Sequence, residues 1–340
     1  MLLKIGREIG RGSRPYIVAE MNSSHNGRIE TAKEMIDAAK ACGCDAVKFQ
    51  SWTADSLYCA DYYDENPIAK RMVDRFSLSE EALLELALYC QEVGIDFSST
   101  PYSEAEVDFL VDECKAPFVK IASMDINNLP YLRYIASKKV PVVLSTGMAD
   151  YEEIARAVKA MEEAGQEDLC ILHCVSLYPV AVEQANLNNL RMLAEKFPRH
   201  AVGYSDHTIG SVAAGAAVAM GAGLIEKHFT LDNRKSGWDN QMATEPEEMK
   251  ALVQHCSEVY AALGSHDRAI SAEEKRQREK MRRSLVASRD LPAGTVLAAA
   301  DLAAKRPGTG ISVAACDKVL GKTLNCPLPK DRLLKEEFLQ

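Results

Sequence analysis

Short runs of β-branched and aromatic residues recur along the first two-thirds of the chain, separated by longer stretches whose apolar positions return every three or four residues. The short runs fall at residues 16–20 (YIVAE), 45–50 (DAVKFQ), 96–100 (DFSST), 118–122 (FVKIA), 142–146 (VVLST), 170–174 (CILHC), 201–205 (AVGYS) and 223–228 (GLIEKH), and they predict strands. The segments between them, such as IETAKEMIDAAKACG and SEEALLELALYCQEVG, are amphipathic and close at glycine, a helix-stop signal. Eight strand–helix units in about 260 residues predict an α/β fold, a (β/α)8 barrel. A doubly wound open sheet is the runner-up, but its glycine-rich turn follows the first strand, whereas GRGSRP precedes it here.

From about His266 the pattern changes. AISAEEKRQREKMRRS is polar, highly charged and predicts a linker helix. Beyond it, SLVASRDLPAGTVLAAADLAAKRPGTGIS and GKTLNCPLPKDRLLKEEFL are punctuated by proline and glycine, as in a small β-rich module. The expected organisation is a barrel over residues 1–265, a linker over 266–283 and a small domain over 284–340. About 55 residues make a small core, so the module is expected to pack on something, a partner subunit included.

The chain has 340 residues, 47% of them apolar, and a net charge of −9 with both signs interspersed. That balance speaks against a nucleic-acid surface, and it means that an anionic substrate needs a local cluster of positive groups. Ten cysteines lie scattered in apolar runs without paired CxxC zinc spacing, which reads as free thiols in a reducing cytosol. MLLKIGREIGRG lacks the apolar core of a signal peptide and no stretch approaches a membrane span, so a soluble cytoplasmic protein is expected.

Barrels of this kind work at the C-terminal ends of their strands. Here the runs end in Glu20; in Lys48 and Gln50; in Ser98 and Thr100; in Lys120 followed by Ser123; in Ser145 and Thr146; in His173 followed by Ser176 and Tyr178; in Ser205, Asp206 and His207; and in Glu226 and His228. Any one of these reads readily as a turn former or cap, and Ser99, Ser103 and Asp206 are read as caps. Eight strands ending this way favour a site, because buried Lys, Glu and His must find partners. Lys48 and Lys120 with the hydroxyls of Thr100, Ser123, Ser145 and Ser205 suit a small, dense anion. His207 and His228 suit one divalent cation with open positions, Mn²⁺ or Mg²⁺ in preference to a closed zinc site. Of the other histidines, His25 is a weaker candidate, and His200, His255 and His266 are read as solvated surface residues.

These motifs resemble the sialic acid synthases along nearly the whole chain: IVAE with His25-Asn26-Gly27, VKFQ, SSTPYS, VKIAS, LSTGM, LHCVSLYP, GYSDHTIG and EKHFTLD in the barrel, and KRPGTG in a module similar to that family's C-terminal antifreeze-like domain. The resemblance implies an aldol-like condensation of phosphoenolpyruvate with the open-chain aldehyde of an N-acetylated mannosamine-type sugar, releasing phosphate. It implies a divalent metal, Mn²⁺ first with Mg²⁺ or Co²⁺ as alternatives, on His207 and His228. It assigns phosphoenolpyruvate to Lys48, Thr100, Lys120, Ser123, Ser145, Ser176 and Ser205. Glu20 matches a carboxylate that handles the water adding at C2, and Glu226 one that orients a metal ligand or a water. Gln50, Tyr178 and Asp239 match sugar-binding positions. Arg306 matches an arginine delivered by the antifreeze-like domain of a swapped partner, which implies a homodimer.

The chain departs from the better-known members at Gly237-Trp238-Asp239-Asn240, where those have proline or serine before the aspartate; Trp238 and Asn240 are expected beside the sugar. A legionaminic- or pseudaminic-type synthase using a 2,4-diacetamido hexose therefore stays open. So do a barrel making seven- or eight-carbon acids and a non-catalytic polysaccharide-assembly protein.

Overall fold

The computed structural model describes residues 3–10, 12–235 and 237–340. The chain divides into two compact units, Met1–Gly264 and Ser265–Gln340.

The first unit opens with an antiparallel hairpin, β1 (Leu3–Ile5) and β2 (Arg7–Ile9). Eight parallel strands follow: β3 (Tyr16–Glu20), β4 (Ala46–Gln50), β5 (Asp96–Thr100), β6 (Val119–Ile121), β7 (Val142–Ser145), β8 (Leu169–Cys174), β9 (Ala201–Asp206) and β10 (Leu224–His228). They pair in the order β5-β4-β3-β10-β9-β8-β7-β6, the predicted strands each within one residue of the expected bounds. Between β5 and β6, where no backbone ladder is formed among the described residues, Ser98 Oγ donates to the Phe118 carbonyl at 2.8 Å and helps close the seam. The result is a near-closed (β/α)8 barrel of the expected class.

Strand alternation sorts the core into two layers. Ile17, Ala19, Val47, Phe49, Val119, Ile121, Leu144, Ile171, Val202 and Ile225 face the helices and form the large apolar shell. Their neighbours Tyr16, Val18, Ala46, Val143, Cys170, Leu172, Ala201 and Leu224 form a second cluster with Leu3, Ile5 and Ile9 of the hairpin. The hairpin thus plugs the N-terminal end of the barrel, a feature the sequence reading did not anticipate. It is tied down by Arg7, whose guanidinium donates to Asp45 and to the carbonyls of Arg14 and Pro15. Gly223 is required there: a Cβ would lie 2.6 Å from the backbone nitrogen of Gly10.

Helices begin and end where their local chemistry dictates. Ser79, Ser103 and Asp150 cap helices with side-chain oxygens, and Gly43 and Gly94 end theirs in the left-handed conformation at φ 87° and 72°.

The second unit contains the charged helix Ala272–Met281, capped by Ser271 and burying no residue, and an antiparallel pair, β11 (Ser284–Ala287) with β12 (Leu302–Lys305). Isolated bridges such as Val286–Leu333 and Leu291–Leu328 knit the remainder around a small core of Leu285, Leu291, Leu297, Ile311, Leu324 and Leu334.

Truncating the plug should be costly, because Ile9 is fully buried under the barrel floor. Ile9→Ala is expected to lower unfolding free energy by about 2–5 kcal/mol. Urea titration reads this directly; a loss well under 1 kcal/mol would show that the hairpin does not close the core.

Candidate active site

The inward face that is apolar at the bottom of the barrel turns polar towards the C-terminal end. Register brings the groups level: Glu20 pairs with Lys48 and His228, Lys48 with Ser98, Gln50 with Thr100, and Glu226 with Ser205. All of these except Ser98, which is turned to the Phe118 carbonyl, line one cavity of about 500 Å³. Its lining also holds Lys120, Ser123, Ser145, Ser176, Tyr178, His207 and Asp239. Of the site residues implied by the resemblance, Arg306 alone lies in the C-terminal unit, exposed after β12.

At the floor, four charged side chains meet with almost no exposure: Glu20, Lys48, Lys120 and Glu226. Lys48 Nζ contacts Glu20 Oε2, donates to Thr100 Oγ1 at 3.0 Å and lies 3.8 Å from Glu226. Lys120 Nζ donates to Ser145 Oγ at 2.7 Å and lies 3.9 Å from Glu226, whose Oε1 also accepts from Ser205 Oγ at 2.8 Å. Glu20 Oε1 accepts from Gln50 at 2.9 Å and from the Asn22 N–H at 3.0 Å.

The two carboxylates are pushed in opposite directions. Burial raises Glu20, against the pull of Lys48, and Glu226 raises it further. Burial opposes charge on Glu226 as well, but Lys120, Lys48 and the Ser205 hydroxyl hold it below the usual carboxylate value. Glu226 is therefore the fixed anion and Glu20 the carboxyl able to carry a proton. Burial likewise pushes Lys120 down, whereas Glu20 and Glu226 keep Lys48 above the usual lysine value despite its own burial.

His207 and His228 stand side by side, ring centroids 5.2 Å apart, with the Tyr178 ring 4.3 Å from His207. Burial pushes both imidazoles down, and in His228 the neighbouring His207 adds to the effect, so both are neutral near pH 7. The His207 Nδ1–H donates to the Val175 carbonyl at 2.8 Å, which leaves Nε2 with a free lone pair. Among the described residues no group of three or more His, Cys, Asp or Glu is arranged to hold a metal. Two neutral imidazoles are too few ligands for a closed zinc site and fit a divalent cation that would take its other ligands from outside the protein.

Some expectations need correcting. His173 faces the helices, stacked 5.6 Å from Tyr204, because β8 points residues 170, 172 and 174 inward. Asp206 is not a helix cap: fully buried, it accepts from Lys227 Nζ at 2.9 Å and from the N–H and hydroxyl of Thr208 at 2.8 Å, gripping the chain on both sides of His207. Ser99 shares a hydrogen bond with Ser51 at 2.5 Å. His200 is buried against Glu162 at 3.0 Å, not solvated. Asn240 is a loop brace and does not line the cavity: it donates to the carbonyls of Asp232 and Lys235 and accepts from Ser24.

Missed in sequence were Asn22, Trp52 and Tyr102, each two residues past an inward-facing strand end. Continuing the strand alternation one step beyond Glu20, Gln50 and Thr100 finds all three. Tyr102 donates to Gln50 at 2.9 Å, and Asn22 donates to Asp239.

Fold and site together define a (β/α)8-barrel protein with a charged mouth and a C-terminal accessory domain. The chain belongs to the NeuB family, whose model matches residues 35–268, and carries a SAF domain over residues 282–340. It is 38% identical over 338 residues to the N,N'-diacetyllegionaminic acid synthase of Legionella pneumophila, covering 96% of this chain and 94% of that one. It is 34% identical over 321 residues to the N-acetylneuraminate-9-phosphate synthase of Drosophila melanogaster, covering 85% and 86%. The crystal structure of the N-acetylneuraminic acid synthetase of Leptospira borgpetersenii, in complex with citrate, matches with a TM-score of 0.75 at 32% identity over 82% of this chain and 95% of that one. The resemblance seen in the motifs is thus borne out.

The ion pair behind His207 gives a stability prediction. Lys227→Met strands the buried Asp206 and should cost about 3–5 kcal/mol in chemical denaturation. The double variant with Asp206→Asn should recover part of that loss; equal stability of Lys227→Met and the parent would show that the pair is not a structural strut.

Proposed function

We propose that the protein condenses phosphoenolpyruvate with the open-chain aldehyde of an N-acylated mannosamine-type sugar, forming a nine-carbon acid and inorganic phosphate. The observation that supports this most is the meeting, in one cavity, of two buried lysines, a set of hydroxyls, a carboxyl raised in pKa and two neutral imidazoles.

Lys48 and Lys120, with Thr100, Ser123, Ser145, Ser176 and Ser205, hold phosphoenolpyruvate as charge-assisted partners of its phosphate and carboxylate. The C2–C3 π pair of phosphoenolpyruvate bonds C3 to the aldehyde carbon, whose oxygen becomes a hydroxyl with the proton given up by a water that adds at C2. The new C2 hydroxyl then collapses to a carbonyl as the C2–O bond breaks, and its proton leaves with inorganic phosphate. Glu20 takes the proton of that water, and Gln50 and the Asn22 N–H fix its orientation. Glu226 stays anionic and balances the lysines. Gln50, Tyr178 and Asp239 bind the sugar. His207 and His228 would hold a divalent cation, Mn²⁺ first with Mg²⁺ or Co²⁺ as alternatives, whose chemistry when bound is to polarise the aldehyde oxygen.

The working unit is a domain-swapped homodimer in which the partner's Arg306 reaches the sugar. Supporting a covered mouth, Met124, Met148, Leu177 and Ile209 are exposed on successive loops after β6, β7, β8 and β9. The ten free cysteines, seven of them buried, support a reducing compartment, the cytoplasm. No helix among the described residues is long and apolar enough to cross a membrane.

Incubation with phosphoenolpyruvate and a panel of N-acylated hexosamines tests the reaction. Phosphate release matched by a product weighing the sugar plus one pyruvic acid unit (phosphoenolpyruvate and water less phosphoric acid) is expected, abolished by chelator and restored by Mn²⁺. Absence of turnover with every sugar would overturn the proposal, and full activity in chelator would remove the metal.

Mixing Glu20→Ala with Arg306→Ala protein should restore activity in hybrid dimers, since one of the two sites then has both residues. No recovery after verified subunit exchange would exclude delivery in trans.

A further inference from the structure

The chain contains two tryptophans, and both stand in one wall of the cavity: Trp52 and Trp238. Their ring centroids are 5.1 Å apart at 59°. Tyr102 lies 6.0 Å from Trp52 and Phe76 lies 5.9 Å from Trp238, and Tyr63 and Val73 complete the cluster behind them. This small core is separate from the main apolar shell. It is built by the insertion between β4 and β5, whose helices Ala54–Leu57, Ala60–Glu65 and Pro67–Phe76 contribute Leu57, Tyr63, Val73 and Phe76.

The wall is held without engaging its polar edge. The Trp52 Nε1–H is buried and has no acceptor among the described residues, so the ring is positioned by apolar packing and tilted aromatic contacts. Trp238 is fixed through its backbone: its N–H donates to Ser23 Oγ at 3.0 Å. The loop that carries it is braced by Asn240, which donates to Asp232 and Lys235 carbonyls at 2.8 and 2.7 Å and accepts from Ser24 at 2.8 Å. Gly237 allows this brace, because a Cβ there would lie 2.8 Å from the Asn240 Cβ. Three buried polar residues, Ser23, Ser24 and Asn240, and a glycine thus hold one half-buried indole at the cavity.

The same cavity has a charged floor of Lys48, Lys120, Glu20 and Glu226. For a ligand with its anion and aldehyde on that floor, the aromatic wall, beside the sugar-binding candidates Gln50 and Asp239, is where its remaining carbons would lie. There Asp239 and Gln50 offer polar contacts, but the indole faces offer none to a hydroxyl. A hydroxyl pressed against them gives up water for no new partner, whereas a methyl or the plane of an acylamido group gains contact.

Taking the condensation proposed for this site as its reaction, we propose that Trp238, backed by Trp52, is the specificity-determining residue for the tail of the sugar. It selects an amino-hexose aldehyde whose tail carries a second acylamido group and a deoxy methyl over one whose tail carries hydroxyls. An apolar wall of this kind discriminates by roughly ten- to a hundredfold.

The test compares two aldehyde donors, N-acetylmannosamine and a 2,4-diacetamido-2,4,6-trideoxy hexose of the same ring configuration, each with phosphoenolpyruvate, on the full-length protein. The wild type should favour the diacetamido sugar in kcat/KM by at least tenfold. Trp238→Ala should lose most of that preference through the KM for the sugar, with the KM for phosphoenolpyruvate changed less than twofold, and Trp238→Phe should keep most of it. Because the two tryptophans are the only ones in the chain, their emission reads the wall without turnover. The diacetamido sugar should shift the emission of the wild type at lower concentration than N-acetylmannosamine does.

An unchanged preference in Trp238→Ala, an equal loss for both sugars, or a wild type that favours N-acetylmannosamine would overturn the clamp while leaving the reaction standing. Phosphate release with neither sugar, nor with any other hexosamine, would overturn the reaction and the clamp with it.

Discussion

Everything at the mouth of this barrel depends on balancing four buried charges. Glu20, Lys48, Lys120 and Glu226 come from four strands, and each is almost fully removed from water. Taking any one of them out of water alone would cost several kcal/mol, so none is tolerable without the others. The register makes the balance available: Glu20 sits level with Lys48, and the Glu226 carboxylate lies within 4 Å of both lysines. The lysines are therefore each paired with a buried carboxylate, with serine and threonine hydroxyls completing their shells. The anion proposed to bind there would meet donors that are already oriented, which is the arrangement that lowers the cost of binding and of reorganisation.

The same constraint explains the apolar half of the barrel. A charged floor needs a water-free layer beneath it, and the inward-facing Tyr16, Val18, Ala46, Val143, Leu172 and Leu224 provide one. That layer would be open at the bottom without Leu3, Ile5 and Ile9 of the hairpin. The plug and the site are thus two ends of one column of side chains. The structural ion pair of Lys227 and Asp206 lies on the opposite face of its strands and grips the residues flanking His207.

Much of this was legible in the sequence because both periodicities are clean. The strands show their β-branched runs, the helices end at Gly43 and Gly94, and polar residues cluster at strand ends where a barrel does its work. What escaped were features that depend on tertiary partners. The hairpin is six strand residues whose apolar positions mean little until a barrel floor exists beneath them. His173 carries no sign of the face it takes until the register of β8 is known. Asp206 has the composition of a cap, and only Lys227 on the next strand reveals it as half of an ion pair. Trp52 and Tyr102 lie past the strand ends, in segments that read as loop, although the alternation continues through them.

The division of labour between the two carboxylates follows from position alone. Glu226 projects between both lysines and accepts from Ser205, and these three partners outweigh its burial and hold it as the anion. Glu20 shares only Lys48 and faces the Glu226 charge, so burial dominates and its affinity for a proton rises. A bound trianion would draw the lysines towards itself and weaken their hold on Glu20, raising that affinity further at the moment a water must be deprotonated. In the proposed condensation the proton-accepting group would thereby be coupled to occupancy of the anion site, and a base that strengthens when substrate arrives would need no separate switch.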